Sequence, residues 1–193
     1  MARVAPTVEL RAERMVAGGR ALSRDREGRI VLVRGALPGE RVRAATYRRH
    51  GTDHGEVVEV LETSADRVTP PCPYVDLGCG GCDWQHIAPD RQRLLRRDIV
   101  TDALRRLGRL EDPAVTLGPP IDAERTRNSL RVAVVDGRLS LRAEASHDVV
   151  PIADCLVAHP AIAELLAPGA IDPGTATELT VRVATDADGT VTG

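Results

Sequence analysis

The sequence lacks phenylalanine and lysine, and its 193 residues include only three aromatic ones, Tyr47, Tyr74 and Trp84. A hydrophobic core must therefore be built from aliphatic side chains. All 26 basic residues are arginine, which a GC-rich coding bias explains as well as any chemistry, so we draw no function from it. No apolar run approaches the roughly 20 residues of a membrane-spanning helix, and the charged N-terminus is unlike a secretory signal. We therefore expect a cytoplasmic protein without a membrane partner.

The net charge of −2 hides an asymmetry along the chain. Residues 1–110 contain 20 arginines and 15 acidic residues, a net charge of +5, whereas residues 111–193 contain 6 and 13, a net charge of −7. The first part suits a polyanionic partner, although an ordinary solvated surface explains the same excess.

Three kinds of pattern follow one another along the chain. Short apolar runs between turn residues, from Thr7 to Leu61, predict four or five strands and a small barrel. Residues 62–89 have neither a helical nor a strand period. Residues 90–107 predict an amphipathic helix that Asp90 caps and that Gly108 ends in a left-handed conformation. Further on, Asp136-Gly137 predicts a hairpin between strands 129–135 and 138–142. A strand at 149–152, a helix at 161–166, a strand at 178–184 and the start of a hairpin at 186–193 complete the prediction.

Four cysteines carry the most specific chemical signal. Three of them, Cys72, Cys79 and Cys82, lie within eleven residues, and Cys155 follows 72 residues after Cys82. In a reducing compartment such thiols are metal ligands or reactive groups rather than disulfides. The two residues between Cys79 and Cys82 allow both sulfurs to face one centre, and both are glycines that permit a tight turn. The spacing fits an iron–sulfur cluster, a zinc site or thiols without a metal.

Other interpretations of this region are weaker. The stretch Val75 to Gly81 resembles the glycine-rich motif of a methyltransferase that binds S-adenosylmethionine, but the proline-rich residues before it are unsuited to the buried strand that this motif needs. His86 and His159 each follow a cysteine by four residues, and with four cysteines available neither is needed as a ligand. Trp84 is suited either to stacking on a nucleobase or to shielding the metal site from water.

Several stretches together resemble the RNA uracil-5 methyltransferases that depend on S-adenosylmethionine and modify 23S rRNA or tRNA. These are VRGALPGERV at 33–42, SADRVTPPCP at 64–73 and CGGCDWQHI at 79–87, followed in the family's order by Arg127-Asn128, the segment 146–152 and Cys155. Two local departures are a loop of six residues between Cys72 and Cys79, where many relatives have five, and Ser129, where a lysine often stands.

The resemblance implies an α+β protein in two parts. Residues 1–62 would form a TRAM domain, an OB-like five-stranded β-barrel that binds RNA, and residues 63–193 a cysteine-cluster α+β domain with a 4Fe–4S cluster on Cys72, Cys79, Cys82 and Cys155. Zinc is the minor alternative. The implied RNA contacts lie in the barrel and after it: Arg41, Arg43, Arg48, Arg49, Arg127 and Asn128.

The family's Rossmann-like catalytic domain, with its S-adenosylmethionine site and attacking cysteine, is expected to be absent from this chain. No cysteine remains beyond the four candidate ligands, so we assign no catalytic residue. The leading hypothesis is therefore the RNA-binding, cluster-bearing portion of such an enzyme, inactive alone and served by a separately encoded catalytic domain. The alternatives are a stand-alone TRAM RNA-binding protein with a structural or redox-sensing cluster, and a zinc-binding scaffold.

Overall fold

The structure is a computed structural model that describes residues 6–144, 146–185 and 191–192. The chain divides into two compact units, the first formed by Met1–Thr69 and Asp83–Gly118 and the second by Pro70–Cys82 and Pro119–Gly193. The predicted domains, 1–62 and 63–193, stay a prediction, because compactness alone does not define a domain that folds by itself. Within the described part of the chain, no helix is long and apolar enough to cross a membrane.

The first unit contains a closed barrel of five strands. They are β1 (Thr7–Met15), β2 (Ala21–Arg24), β3 (Ile30–Arg34), β4 (Arg41–Arg49) and β5 (Thr52–Glu62), in the order β1-β2-β3-β5-β4. The pair β3–β5 is parallel, and the other pairs are antiparallel. Five strands closed in this order form an OB-like barrel. The predicted fold of the N-terminal part is confirmed.

Aliphatic side chains fill the barrel, as the composition requires. In β1, Leu10 and Ala12 are buried while their neighbours are exposed, which is the period of a strand with one face in a core. Gly55 in β5 leaves little room for a side chain, because a Cβ there would lie 3.2 Å from the Cβ of Ala44. Three buried residues that follow the barrel in the chain, Trp84, Ile87 and Leu95, join the same core cluster.

Helix α1 (Pro89–Arg106) forms where the apolar period predicts it, but its ends differ from the prediction. Ala88, not Asp90, is the N-cap, because Pro89 occupies the first turn, where its missing N–H costs no hydrogen bond. At the other end Arg109, with a φ of 54°, takes the left-handed conformation predicted for Gly108. A glycine is still required at 108, since a Cβ there would lie 2.6 Å from the carbonyl oxygen of Leu104.

The second unit is built on an antiparallel sheet in the order β8-β7-β6-β9. Its strands and helix are β6 (Ser129–Val135), β7 (Arg138–Arg142), β8 (Val149–Pro151), α2 (Pro160–Leu166) and β9 (Glu178–Arg182). The predicted hairpin turn is confirmed, with positive φ at both Asp136 and Gly137.

The C-terminal hairpin prediction falls partly on residues that the structure does not describe. Strand β10 (Ala184–Thr185) pairs with β11 (Val191–Thr192), which supports a hairpin at this place. Residues 186–190 and 193 lie outside the described residues.

Candidate functional site

All four cysteines belong to the second unit. The segment with Cys72, Cys79 and Cys82 folds through consecutive turns, in which the Cys79 N–H donates to the Tyr74 carbonyl at 2.9 Å. It is attached to the end of β7 by a bridge between Cys79 and Ala143. The Tyr74 hydroxyl oxygen accepts a hydrogen bond at 3.0 Å from the N–H of Ala153, two residues before Cys155. The chain thus holds the distant cysteine and the local three in one unit.

Two glycines let the cysteine loop approach its neighbours closely. The Gly80 N–H donates to the Arg142 carbonyl at 3.0 Å, and a Cβ at Gly80 would lie 2.7 Å from the backbone nitrogen of Glu144. A Cβ at Gly81 would lie 3.5 Å from the Cys79 sulfur. A side chain at Gly80 would push the loop away from the backbone of Glu144, so a glycine is needed there, whereas a Cβ at Gly81 would make an ordinary contact with the sulfur.

The four thiols are near enough to one another to interact electrostatically. Burial raises the pKa of the Cys79 thiol, and the thiols of Cys72, Cys82 and Cys155 raise it further, while the Gly81 N–H lowers it. Burial likewise raises the pKa of Cys155. Mutual repulsion of this kind disfavours bare thiolates and is relieved when a cation binds among them.

Backbone N–H groups and a positive charge also face this group of thiols. The N–H groups of Val157 and Ala158 and the charge of Arg127 all favour the thiolate form of Cys155. As they stand, no three cysteine, histidine or acidic side chains in the described residues have the close spacing of a site for a single metal ion. Sulfur donors at an apolar core, approached by backbone N–H groups, are a donor set that fits an iron–sulfur cluster. Cys155 lies in the second unit's core cluster, and Cys79 is partly buried against it.

The two histidines near cysteines in sequence have other roles. The Nδ1 atom of His159 accepts a hydrogen bond from the Ala161 N–H at 3.3 Å and caps α2. His86 belongs to the first unit, and burial and the charge of Arg67 lower its pKa to about 4. Trp84 is only 8% exposed and donates its indole N–H to the Gly19 carbonyl at 2.9 Å, so its ring is not available to a nucleobase.

Three of the four predicted barrel arginines are ion-paired. Arg41 pairs with Glu9 and Glu62, Arg43 with Glu9 and Glu59, and Arg48 with Asp53. A phosphate would have to compete with these carboxylates. Arg49 is exposed at the end of β4, and no carboxylate among the described residues lies within 4.0 Å of it.

Beside Arg49 lies an aromatic pair that the sequence did not reveal. Tyr47 and His54 are cross-strand neighbours in β4 and β5, with ring centroids 5.6 Å apart and planes 16° from parallel. The Tyr47 side chain is 37% exposed and borders a groove of about 270 Å³, lined also by Val8, Val31 and Arg48. Recognising His50-Gly51 as the turn between the two strands would have indicated this pairing.

A second unpredicted pair lies under the barrel motif. Glu40 is fully buried, and its carboxylate accepts hydrogen bonds from Nε and Nη2 of Arg67, both at 2.7 Å, and from the N–H groups of Leu37 and Ser64. Burial alone would raise the pKa of Glu40, but these donors outweigh it and lower the pKa. The pair joins the stretches 33–42 and 64–73 within the first unit.

The remaining two predicted contacts lie in the second unit. Asn128 is exposed, and its carbonyl oxygen accepts a hydrogen bond from the Val183 N–H. Arg127 is half-buried and donates from Nη2 to the Gly81 carbonyl at 3.0 Å. It therefore lies at the cysteine site.

Comparison with known proteins shows relatives across both units. The chain is 41% identical over 165 residues to an uncharacterized RNA methyltransferase of Streptomyces avermitilis, covering 77% of this chain and 38% of that protein. It is 40% identical over 166 residues to the 23S rRNA (uracil(1939)-C(5))-methyltransferase RlmD of Halomonas elongata, covering 83% of this chain and 34% of that protein. An uncharacterized RNA methyltransferase of Bdellovibrio bacteriovorus is 32% identical over 162 residues, covering 83% of this chain and 41% of that protein. No model of a protein family matches.

The barrel defines the first unit as one of the OB-like folds, a class built around nucleic-acid and oligosaccharide binding. With these relatives, the chain belongs to the RNA uracil-5 methyltransferase family. It spans between 32% and 41% of the length of the curated relatives it matches.

Proposed function

We propose that this chain is the RNA-binding portion of an RNA uracil-5 methyltransferase that acts on rRNA or tRNA, and that its barrel is a TRAM domain. The observation that carries the proposal is the match to RNA methyltransferases across an OB-like barrel and the cysteine unit that follows it. Methyl transfer by the whole protein also needs an S-adenosylmethionine site and an attacking thiol, neither of which we assign within these residues. RNA binding is therefore the activity proposed for the chain by itself.

The barrel surface around Tyr47 and Arg49 is the strongest candidate for the RNA contact. An exposed aromatic ring stacks on unpaired bases, and a cation without a carboxylate partner binds phosphate without first breaking an ion pair. Arg41, Arg43 and Arg48 would contribute less, because each is already paired. Asn128 remains a candidate contact in the second unit.

RNA binding is tested with a labelled single-stranded RNA and with duplex DNA of the same sequence. We expect binding to the RNA that weakens steeply as salt rises. Tyr47→Ala and Arg49→Gln should each weaken it about tenfold, given a stacking contribution of roughly 1–3 kcal/mol per base. Arg131→Gln is the matched control, since Arg131 is exposed and pairs with Glu178 in the second unit's sheet. Equal affinity for all three variants, or no RNA binding by the unaltered chain, would contradict the proposal.

We propose further that Cys72, Cys79, Cys82 and Cys155 hold a 4Fe–4S cluster. Support comes from the mutual influence of the four thiols, the burial of Cys155 and the N–H groups directed at Cys79 and Cys155. A bound cluster would crosslink the cysteine loop to the sheet and would be able to accept or release one electron. Zinc, which four thiolates also bind, is the alternative that the measurement must separate.

Metal analysis of anaerobically purified protein distinguishes these cases. We expect a brown protein with about four irons and inorganic sulfide, as a cubane cluster requires. Cys79→Ser should lose that iron. A colourless protein with one zinc per chain would overturn the cluster assignment, and a Cys79→Ser variant with full iron content would overturn the ligand set.

Methylation is tested separately with tritium-labelled S-adenosylmethionine and RNA. We expect no incorporation by the chain alone and incorporation when the S-adenosylmethionine-binding portion of a relative is added as a separate polypeptide. Incorporation by the 193 residues alone would contradict the proposal that they bind RNA without modifying it.

A further inference from the structure

Arg127 is built into the cysteine site by both its backbone and its side chain. Its N–H donates to the Val157 carbonyl at 2.7 Å, and its carbonyl accepts from the His159 N–H at 2.9 Å. Its guanidinium donates to the Gly81 carbonyl at 3.0 Å. A Cβ placed on Gly81 would be 3.5 Å from the Cys79 sulfur and 3.9 Å from Nη1 of Arg127. The cation and a candidate ligand therefore both lie close to the same side of Gly81.

The guanidinium of Arg127 is half-buried without an acidic partner. Within the described ranges, no carboxylate lies within 4.0 Å of it. Nearby arginines are different: Arg125 binds both oxygens of Asp154, at 2.7 and 2.8 Å, and Arg131 pairs with Glu178. An anion close to such a partly buried cation would stabilise it.

Thiolates that hold a metal would supply the negative charge that is missing around Arg127. The positive charge of Arg127 acts on Cys155, which is buried. Four thiolates around either a cubane cluster or a zinc ion leave the whole site negatively charged, and a nearby cation stabilises that charge.

We propose that Arg127 is the counter-cation of the four-cysteine site and holds its Gly80-Gly81 turn in place, rather than contacting RNA. This inference rests on the proposed metal site. A reduced cluster carries one more negative charge than the oxidised form, so the cation stabilises the reduced form more. Arg127 thereby raises the reduction potential of the cluster and strengthens its retention.

The test compares Arg127→Gln and Arg127→Lys with the control Arg131→Gln, all purified anaerobically. Arg127→Gln is expected to have a lower reduction potential than the unaltered protein and to lose iron to a chelator faster. Arg127→Lys keeps the positive charge, so it should retain most of the reduction potential of the unaltered protein. Lysine lacks the planar guanidinium, so it should hold the Gly81 carbonyl less well. Arg131→Gln should match the unaltered protein. RNA affinity should be the same for all three variants, whereas Arg49→Gln weakens it.

Two results would overturn the inference. One is an unchanged potential and iron release in Arg127→Gln. The other is a loss of RNA affinity in Arg127→Gln as large as that in Arg49→Gln. If the unaltered protein binds zinc instead of iron, the cluster proposal fails, but the role of Arg127 is still tested by whether Arg127→Gln weakens the affinity for zinc. If Arg127→Gln does not fold, Arg127→Lys tests the other half of the inference: it lacks the guanidinium that binds the Gly81 carbonyl, so it should lose iron to a chelator faster than Arg131→Gln, and equal iron release would overturn the inference.

Discussion

Replacing Glu40 by glutamine should destabilise the first unit by about 3–5 kcal/mol, the usual cost of leaving one member of a buried ion pair alone. Each carboxylate oxygen of Glu40 accepts two hydrogen bonds, one from Arg67 and one from a backbone N–H, all at 2.7–3.2 Å. An amide has only one acceptor oxygen, so its NH₂ group would face two donors in either orientation. The side chain of Arg67, 20% exposed, would keep the amide oxygen and the Gly35 carbonyl as partners, but it would lose one hydrogen bond and its counter-charge.

The assay for Glu40→Gln is urea unfolding followed by fluorescence. Trp84 is the one tryptophan and belongs to the barrel core cluster, so its emission reports the unfolding of this unit. Glu59→Gln is the control, because Glu59 pairs with Arg43 at an exposed position, where such pairs contribute about 0–1 kcal/mol. If Glu40→Gln loses no more stability than Glu59→Gln, the buried pair does not stabilise the fold as argued.

The pH dependence of Glu40→Gln gives a second check. Because the pKa of Glu40 is lowered in the folded state, its contribution is present above its unfolded pKa near 4.5 and is lost as the pH falls through the folded value. The difference between Glu40→Gln and the unaltered protein should therefore shrink in acid. Replacing both partners, as Glu40→Leu with Arg67→Met, should recover much of the lost stability, since no buried charge is then left unpaired.

Two further predictions concern His86 and Gly80. His86 has a folded pKa of about 4 against about 6.5 unfolded, so its protonation should cost up to about 3 kcal/mol of stability as the pH falls from 6.5 to 4. In His86→Gln the urea midpoint should therefore depend less on pH over that range. The same pH dependence in the variant and the unaltered protein would refute this. Gly80→Ala should lower the iron content and cost about 1–3 kcal/mol, because its Cβ would clash with the backbone of Glu144, while Gly118→Ala, with open space around it, should change neither.

Local signals in the sequence predicted those elements that neighbouring residues determine. Asp136-Gly137 produced the hairpin because both residues tolerate positive φ, and the alternation in β1 produced a strand with one buried face. Strand β2 gave no such signal, since three of its four residues are buried in succession. Asp90 was wrong as the helix cap because the proline just before it already starts the helix. Strand β2 was missed because longer-range contacts determine it, and Asp90 was assigned wrongly because the neighbouring proline is a competing local signal.

Neither the buried pair of Glu40 and Arg67 nor the proposed counter-cation Arg127 could be predicted from the sequence, because a charged residue type carries no information about its burial. Glu40 and Arg67 are 27 residues apart, and Arg127 is 46 residues from the carbonyl that it binds. In the sequence, Arg127 has the same properties as the solvated arginines and was predicted to contact phosphate with them. Only the structure separates an arginine that has a carboxylate, such as Arg43, from one whose guanidinium binds a carbonyl of the cysteine loop. The partner that an arginine meets in the fold, rather than its presence in a basic region, therefore decides whether we propose it for the metal site or for the RNA.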